Sequence, residues 1–115
     1  MTNRFNITSR IWIHSENGTF LGEGRIELLR RIQETGSISK AAKRMKMSYK
    51  KAWELVNSMN SQYNEPLVLG SVGGLHGGGS VLSDSGKEMV VLFTQLQERN
   101  KAFLKKEFNE ISLFQ

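Results

Sequence analysis

The feature that most constrains how this chain folds is the stretch from Ile38 to Asn57, where two short helical segments flank a tight turn. Small or apolar side chains stand where the two segments would cross, namely Ala41, Ala42, Met45, Met47, Ala52 and Leu55. Alanines allow two helix backbones to approach closely, and serines that can cap a helix precede each segment. This spacing predicts a helix-turn-helix.

The outward positions of the same stretch are cationic. Six basic residues occur with no acidic residue between the first and the last: Lys40, Lys43, Arg44, Lys46, Lys50 and Lys51. The whole chain has 16 Lys and Arg against 11 Asp and Glu, a formal net charge of +5. Such an excess favours a polyanionic partner, nucleic acid or a membrane surface. A solvated, lysine-rich helical hairpin without a ligand is the alternative interpretation.

The N-terminal part alternates between apolar and polar residues, which is typical of a strand. Asn17-Gly18 follows, the strongest short hairpin turn, so a β-hairpin is predicted over residues 5–21. Residues 22–35 read as a first helix with Ile26, Leu29 and Ile32 on one face and Gly36 as a left-handed C-cap. Trp12 is expected to cover the base of the hairpin.

Two further helices are predicted over residues 39–46 and 48–63, with Ser39 and Ser48 as their N-caps. Lys46 stands where turns of this kind usually use glycine because the backbone needs a positive φ. Trp53 either packs in the core or faces a ligand, and a tryptophan amid helical apolar spacing favours the core.

The glycine-rich stretch after Pro66 predicts a β-loop, or wing, over residues 67–82. Its glycines would let the backbone approach phosphates, with Gly77 and His76 as candidate contacts at the tip. A flexible linker is the alternative. A nucleotide-binding loop is excluded, because Gly86-Lys87 is followed by Glu88 and lacks the required upstream glycine.

A long last helix is predicted over residues 84–109, capped by Ser83 or Asp84. Its apolar stripe exceeds what one small domain easily covers, which predicts a two-fold dimer interface. The candidate interface residues are Met89, Leu92, Phe93, Leu96, Phe103 and Leu104. The alternative is a helix packed wholly on its own domain.

The expected fold is mainly α with a small β component (α+β), a winged helix-turn-helix forming one domain over residues 1–115. Cysteine is absent, so thiolate chemistry and disulfides are excluded, which suits a cytoplasmic protein. The two histidines lie far apart, and no serine stands in a nucleophile elbow. We therefore expect no enzyme, no metal site, no cofactor and no membrane partner.

From about Phe20 to Leu104 the sequence resembles the N-terminal DNA-binding domain of the ModE-type, molybdate-responsive regulators, winged-helix relatives of the LysR type. The matching motifs are Leu21-Gly22-Glu23-Gly24-Arg25-Ile26, Thr35-Gly36-Ser37-Ile38-Ser39, Ala41-Ala42, Ser48-Tyr49-Lys50-Lys51-Ala52-Trp53, Met59-Asn60, the glycine run 73–79, Leu82 and Gly86. Lys46 departs from the family's turn glycine. The chain also ends where full-length relatives continue into molybdate-binding domains.

The resemblance implies a dimeric, sequence-specific binder of double-stranded DNA that regulates transcription without a molybdate-binding domain of its own. A separate sensor protein is then a possible partner. The DNA-binding candidates are Ser39, Lys40, Lys43, Arg44, Lys46, Ser48, Tyr49, Lys50, Lys51, Glu54, His76 and Gly77. The alternative function is a winged-helix interaction module that binds an acidic protein. An RNA-binding domain is disfavoured, since exposed aromatic residues for stacking unpaired bases are not expected.

Overall fold

Four helices and two small antiparallel sheets make up the fold of the computed structural model, which describes residues 4–70 and 79–115. The elements in chain order are β1 (Trp12–Ser15), β2 (Gly18–Gly22), α1 (Glu23–Thr35), α2 (Ile38–Arg44), α3 (Tyr49–Gln62), β3 (Val68–Gly70), β4 (Ser80–Leu82), α4 (Asp84–Asn109) and a short 3-10 turn (Ser112–Phe114). β1 pairs with β2, and β3 pairs with β4. The predicted winged helix-turn-helix of the α+β class, with an N-terminal hairpin and a long C-terminal helix, is confirmed.

The helix α1 lies at the centre of the core. Ile26, Leu28, Leu29 and Ile32 are at most 1% exposed, so the predicted apolar face of this helix is confirmed. The helices α2, α3 and α4 and the strands β2 and β4 all contact α1. Burying four large aliphatic side chains stabilises the fold by about 2 kcal/mol each, which makes α1 the main scaffold of the molecule.

The end of α1 and the start of α2 are set by two adjacent residues. Gly36 adopts the left-handed conformation (φ 71°), and its N–H donates to the carbonyl oxygen of Ile32 at 2.7 Å, so the predicted C-cap is confirmed. The expectation that Ser39 caps α2 is wrong. Ser37 has an extended backbone, and its Oγ accepts a hydrogen bond from the Lys40 N–H at 3.1 Å, so α2 already begins at Ile38.

The predicted hairpin over residues 5–21 is too long, since strand pairing begins only at Trp12. The segment before it lies along α4 instead. Gln97 Nε2 donates to the Ser9 carbonyl oxygen at 3.3 Å, and Asn100 Nδ2 donates to Ser9 Oγ at 3.0 Å. Phe5 packs edge-on against Phe114, with ring centroids 5.4 Å apart. Alternation in sequence could not reveal these contacts because the partners of Ser9 are about 90 residues away, and Phe114 is farther still from Phe5.

The helix α4 begins after Ser83, whose Oγ accepts from the Gly86 N–H at 3.0 Å, and it ends at Asn109 as predicted. Within residues 4–70 and 79–115, no helix is long and apolar enough to cross a membrane. The tip of the glycine-rich loop, with His76 and Gly77, lies outside the described residues.

Candidate nucleic-acid interface

The turn between α2 and α3 has the backbone that the sequence predicted. Lys46 is the single non-glycine residue with a positive φ (56°) in the described part of the chain. The N–H of Met47 donates to the carbonyl oxygen of Ala42 at 3.0 Å, which closes the turn. Ala41, Ala42 and Ala52 are at most 2% exposed, so the small side chains are buried in the core between the helices. The helix-turn-helix is therefore held by both packing and turn hydrogen bonds.

The helix α3 shows one face to the core and the opposite face to solvent. Ala52, Val56 and Met59 are buried. Residues on the other side are exposed: Tyr49, Lys50, Lys51, Trp53, Glu54 and Asn57. Ser48 caps the N-terminus, because its Oγ accepts from the Lys51 N–H at 3.0 Å. The predicted cap is confirmed, and the cationic end of α3 stands clear of the rest of the monomer.

The sequence left Trp53 either in the core or facing a ligand and favoured the core, and the favoured alternative is wrong. Its side chain is 49% exposed, next to the fully buried Ala52. The inner face of α3 is already filled by Ala52, Val56 and Met59, which leaves no room for an indole. A usable signal was present in the sequence, since Trp53 lies one turn after Tyr49 and one turn before Asn57, on a row that is otherwise polar.

The cations of this surface differ in how they are paired. Arg44 Nη1 lies 3.5 Å from Glu34 Oε2, and Glu34 also pairs with Arg31 at 3.3 Å. In residues 4–70 and 79–115, none of the ion pairs involves the five exposed lysines of the surface, Lys40, Lys43, Lys46, Lys50 and Lys51. These ammonium groups can approach phosphates without first breaking a salt bridge, whereas Arg44 is partly neutralised.

A side chain of α1 and a backbone carbonyl of the hairpin hold α3 from behind. Arg25 Nη1 donates to Ser58 Oγ at 2.9 Å, and Gln62 Nε2 donates to the Thr19 carbonyl oxygen at 2.8 Å. Partial burial lowers the pKa of Arg25 from its ordinary value, yet a guanidinium remains protonated at any physiological pH. These contacts orient α3, and the sequence alone did not reveal them.

Asn60 connects α3 to the wing, defined here as β3, β4 and the loop between them. Its Oδ1 accepts from the N–H groups of Leu67 (2.8 Å) and Val68 (3.1 Å). Its Nδ2 donates to the Val68 carbonyl oxygen at 3.0 Å. A single amide thus satisfies three backbone groups where the chain enters β3, and it fixes the start of the wing relative to α3.

The base of the wing lies beside the junction of α1 and α2. Val68 pairs with Leu82, and Gly70 pairs with Ser80. The Ser80 N–H donates to the Gly36 carbonyl oxygen at 2.9 Å. The wing strands therefore emerge next to the residues that start α2.

The apolar stripe of α4 is only partly available as an interface. Phe93 is 3% exposed and belongs to the core of its own chain, so it is withdrawn from the predicted interface. Met89 and Leu104 are half-buried. Leu92, Leu96 and Phe103 each leave about half of their surface exposed and lie on one side of α4. These three residues are called the α4 stripe below.

Comparison with known proteins places this surface in a family. The model of the bacterial regulatory helix-turn-helix protein family, lysR family, matches residues 24–86, which include all of α1 but its first residue, together with α2, α3 and the wing. That match covers the helix-turn-helix surface and ends before the α4 stripe.

Similar proteins include the molybdenum transport protein ModE of Azotobacter vinelandii, 40% identical over 77% of this chain and 33% of the relative. The transcriptional regulator ModE of Yersinia pestis is 44% identical over 73% of this chain and 32% of the relative. The DNA-binding transcriptional dual regulator ModE of Escherichia coli K12 is 42% identical over 73% of this chain and 32% of the relative. The chain spans about a third of the length of these relatives. Because the family model matches more than half of its residues, the chain belongs to the lysR family of bacterial regulatory helix-turn-helix proteins.

Proposed function

We propose that this chain binds double-stranded DNA sequence-specifically and regulates transcription, with residues 1–115 acting as one DNA-binding domain. The observation that carries the proposal is the position of α3, whose inner face is fixed in the core while its cationic N-terminal end and polar outer face are exposed. A helix presented in this way fits the major groove of B-DNA. The relatives named as DNA-binding or transcriptional regulators support it.

The roles of the surface residues follow from their charge and position. Lys43, Lys50 and Lys51 bind phosphates, with Lys40, Lys46 and Arg44 adding to the positive field. Ser48, Tyr49, Lys50 and Glu54 contact base edges, since they lie on the first turns of α3. Ser39 contacts the backbone from α2. Gly77 and His76, in the part of the wing outside the described residues, are proposed to contact phosphates or the minor groove.

Homodimerisation through the α4 stripe is part of the proposal. A two-fold dimer would place two recognition helices on half-sites about 34 Å apart, one turn of DNA, on a pseudo-palindrome. We further propose that the chain acts in the cytoplasm, without catalysis, and that its regulatory signal comes from a sensor outside residues 1–115. The alternative, a module that binds an acidic protein, is not supported by the family match or by the named relatives.

Selection from a random duplex library tests the proposal, with binding to the selected duplex then measured as a function of salt. We expect a preferred, partly symmetric sequence and an affinity that falls steeply as salt rises. Lys43→Gln should weaken binding to all sequences alike and reduce the salt slope by about one unit. The matched control is Lys106→Gln, an exposed lysine in the last turn of α4, which should leave the slope unchanged. Recovery of no preferred duplex, or an affinity independent of salt, would overturn the proposed function.

A further inference from the structure

Trp53 is a large apolar side chain with no place in the core of its own chain. Half of its surface is exposed, although a tryptophan usually buries 150–250 Å² in a folded protein. Tyr49, one turn earlier on α3, is 55% exposed as well. An exposed aromatic pair on one row of a helix offers little to folding and favours contact with a partner.

The position of Trp53 sets what that partner can be. Residues four apart on a helix are neighbours on its surface and about 6 Å apart along its axis. Trp53 therefore lies about one turn behind Tyr49, with Lys50 and Glu54 on its polar side and Asn57 one turn beyond. When the lysine end of α3 lies between the phosphate strands, the same row of side chains faces the base edges.

The chemistry of the indole selects among those edges. It offers one N–H donor, no acceptor and a wide apolar surface. The 5-methyl group of thymine is the largest apolar group on the base edges of the major groove. Covering a polar edge with the indole would remove water from it and replace at most one of the lost hydrogen bonds, through the single N–H, which is unfavourable. Covering a methyl group instead removes apolar surface of both partners from water.

We propose that Trp53 is a specificity-determining residue that packs against thymine 5-methyl groups in the major groove. This proposal rests on the proposed DNA-binding function and names the base feature that one residue of the surface recognises. It assigns to α3 an apolar contact in addition to the polar contacts expected at Tyr49, Lys50 and Glu54. Because Trp53 leaves the core almost untouched, its loss should change binding and not folding.

The experiment replaces each thymine of the library-selected duplex, one at a time, by deoxyuridine, which removes only the methyl group. Affinities of the full chain and of Trp53→Ala are measured by anisotropy of the labelled duplex at one salt concentration. For the unaltered chain we expect about a fourfold loss at one or two thymines in each half-site, the equivalent of one methyl group exposed to water. Trp53→Ala should bind the unmodified duplex more weakly and show no further loss at those positions.

Two further measurements separate this role from a structural one. The melting temperature of Trp53→Ala should be close to that of the unaltered chain, because a substitution at the surface usually changes stability by no more than about 0.5 kcal/mol. Trp12→Phe, a change to the other tryptophan, on the hairpin, should keep the deoxyuridine sensitivity and leave Trp53 as the sole tryptophan. In this variant the fluorescence of Trp53 should change when the protein binds the selected duplex.

The possible results are distinguishable. Equal deoxyuridine losses in the unaltered chain and in Trp53→Ala, or no loss at any thymine, would overturn the role of Trp53 while DNA binding stands. A selection that recovers no duplex would overturn the proposed function and this inference together.

Discussion

Lys46 holds a backbone conformation that L-residues rarely adopt. Its φ of 56° in the turn between α2 and α3 costs about 1–2 kcal/mol relative to glycine. We expect Lys46→Gly to keep or raise stability, by up to about 1 kcal/mol, since glycine also gives the unfolded chain more entropy. Thermal unfolding would show this as a melting temperature up to about 4 °C higher.

The control for Lys46→Gly is Gly36→Ala, the reverse exchange at another positive φ (71°), where stability should fall. A clear loss of melting temperature in Lys46→Gly would contradict the turn geometry. The same variant loses a cation of the DNA-facing surface, so its affinity for duplex DNA should fall at low salt even as stability holds.

Two helical glycines, Gly86 and Gly24, respond oppositely to an added methyl group. A Cβ on Gly86 would overlap the carbonyl oxygen of Leu67, because the first turn of α4 packs directly on that backbone. Nothing lies within 4 Å of a Cβ on Gly24 in the first turn of α1. We expect Gly86→Ala to destabilise by about 2 kcal/mol or more and Gly24→Ala to stabilise by about 0.5 kcal/mol. Urea unfolding of both variants measures the contrast, and equal effects would contradict it.

Features that depend on neighbouring residues were predictable from the sequence. The left-handed Gly36, the strained Lys46 and the cap at Ser48 follow from local chemistry, and each is confirmed. Two of the wrong expectations, Trp53 and Ser39, have a tertiary cause and a close local competitor respectively. Trp53 was misplaced because Val56 and Met59 already fill the inner face of α3, and Ser39 because Ser37, two residues earlier, makes the capping bond.

At the scale of elements, Asn60 couples α3 to the wing. Asn60→Ala leaves the N–H groups of Leu67 and Val68 without their acceptor, so we expect a loss of about 2 kcal/mol in unfolding free energy. Affinity for DNA should fall too, because the wing loses its anchor on α3. Chemical unfolding and duplex titration are the measurements.

The matched control is Asn57→Ala, an exposed asparagine one turn earlier on α3, which should change stability by less than about 0.5 kcal/mol. An Asn60→Ala variant as stable as the unaltered chain, or equal losses of unfolding free energy in both variants, would show that the amide does not anchor the wing.

Element existence was easier to predict than element extent. The bounds of α4 were predicted correctly because Ser83 gives a clear start and the apolar repeat a clear period. The hairpin was predicted to be longer than it is, because an alternating segment can pack against any partner that the fold provides. Here Gln97 and Asn100 of α4 supply that partner through Ser9. Sequence patterns report which faces are apolar and leave open which element covers them.

At the scale of the whole molecule, the exposed side of α4 carries a run of large apolar side chains along a single helix. The molecule is elongated, 61 × 29 × 22 Å, and no residue of α4 is buried after Gln97 although the helix continues to Asn109. The stripe of Leu92, Leu96 and Phe103 runs along this helix. Contact between two such stripes would remove apolar surface from water in both copies, which is what a two-fold dimer requires.

We therefore expect Leu96→Asp to convert a dimer into a monomer, since a carboxylate at the centre of the stripe would be buried without a partner. Val91→Asp is the matched control: Val91 is 54% exposed, similar to Leu96 at 48%, but lies on another side of α4. Sedimentation equilibrium of the unaltered chain and both variants measures the assembly. The control should stay dimeric and bind a two-half-site duplex, whereas Leu96→Asp should bind it with the affinity of a single half-site. If the unaltered chain and both variants are all monomers, or if Leu96→Asp is still a dimer, the α4 stripe does not form the dimer interface.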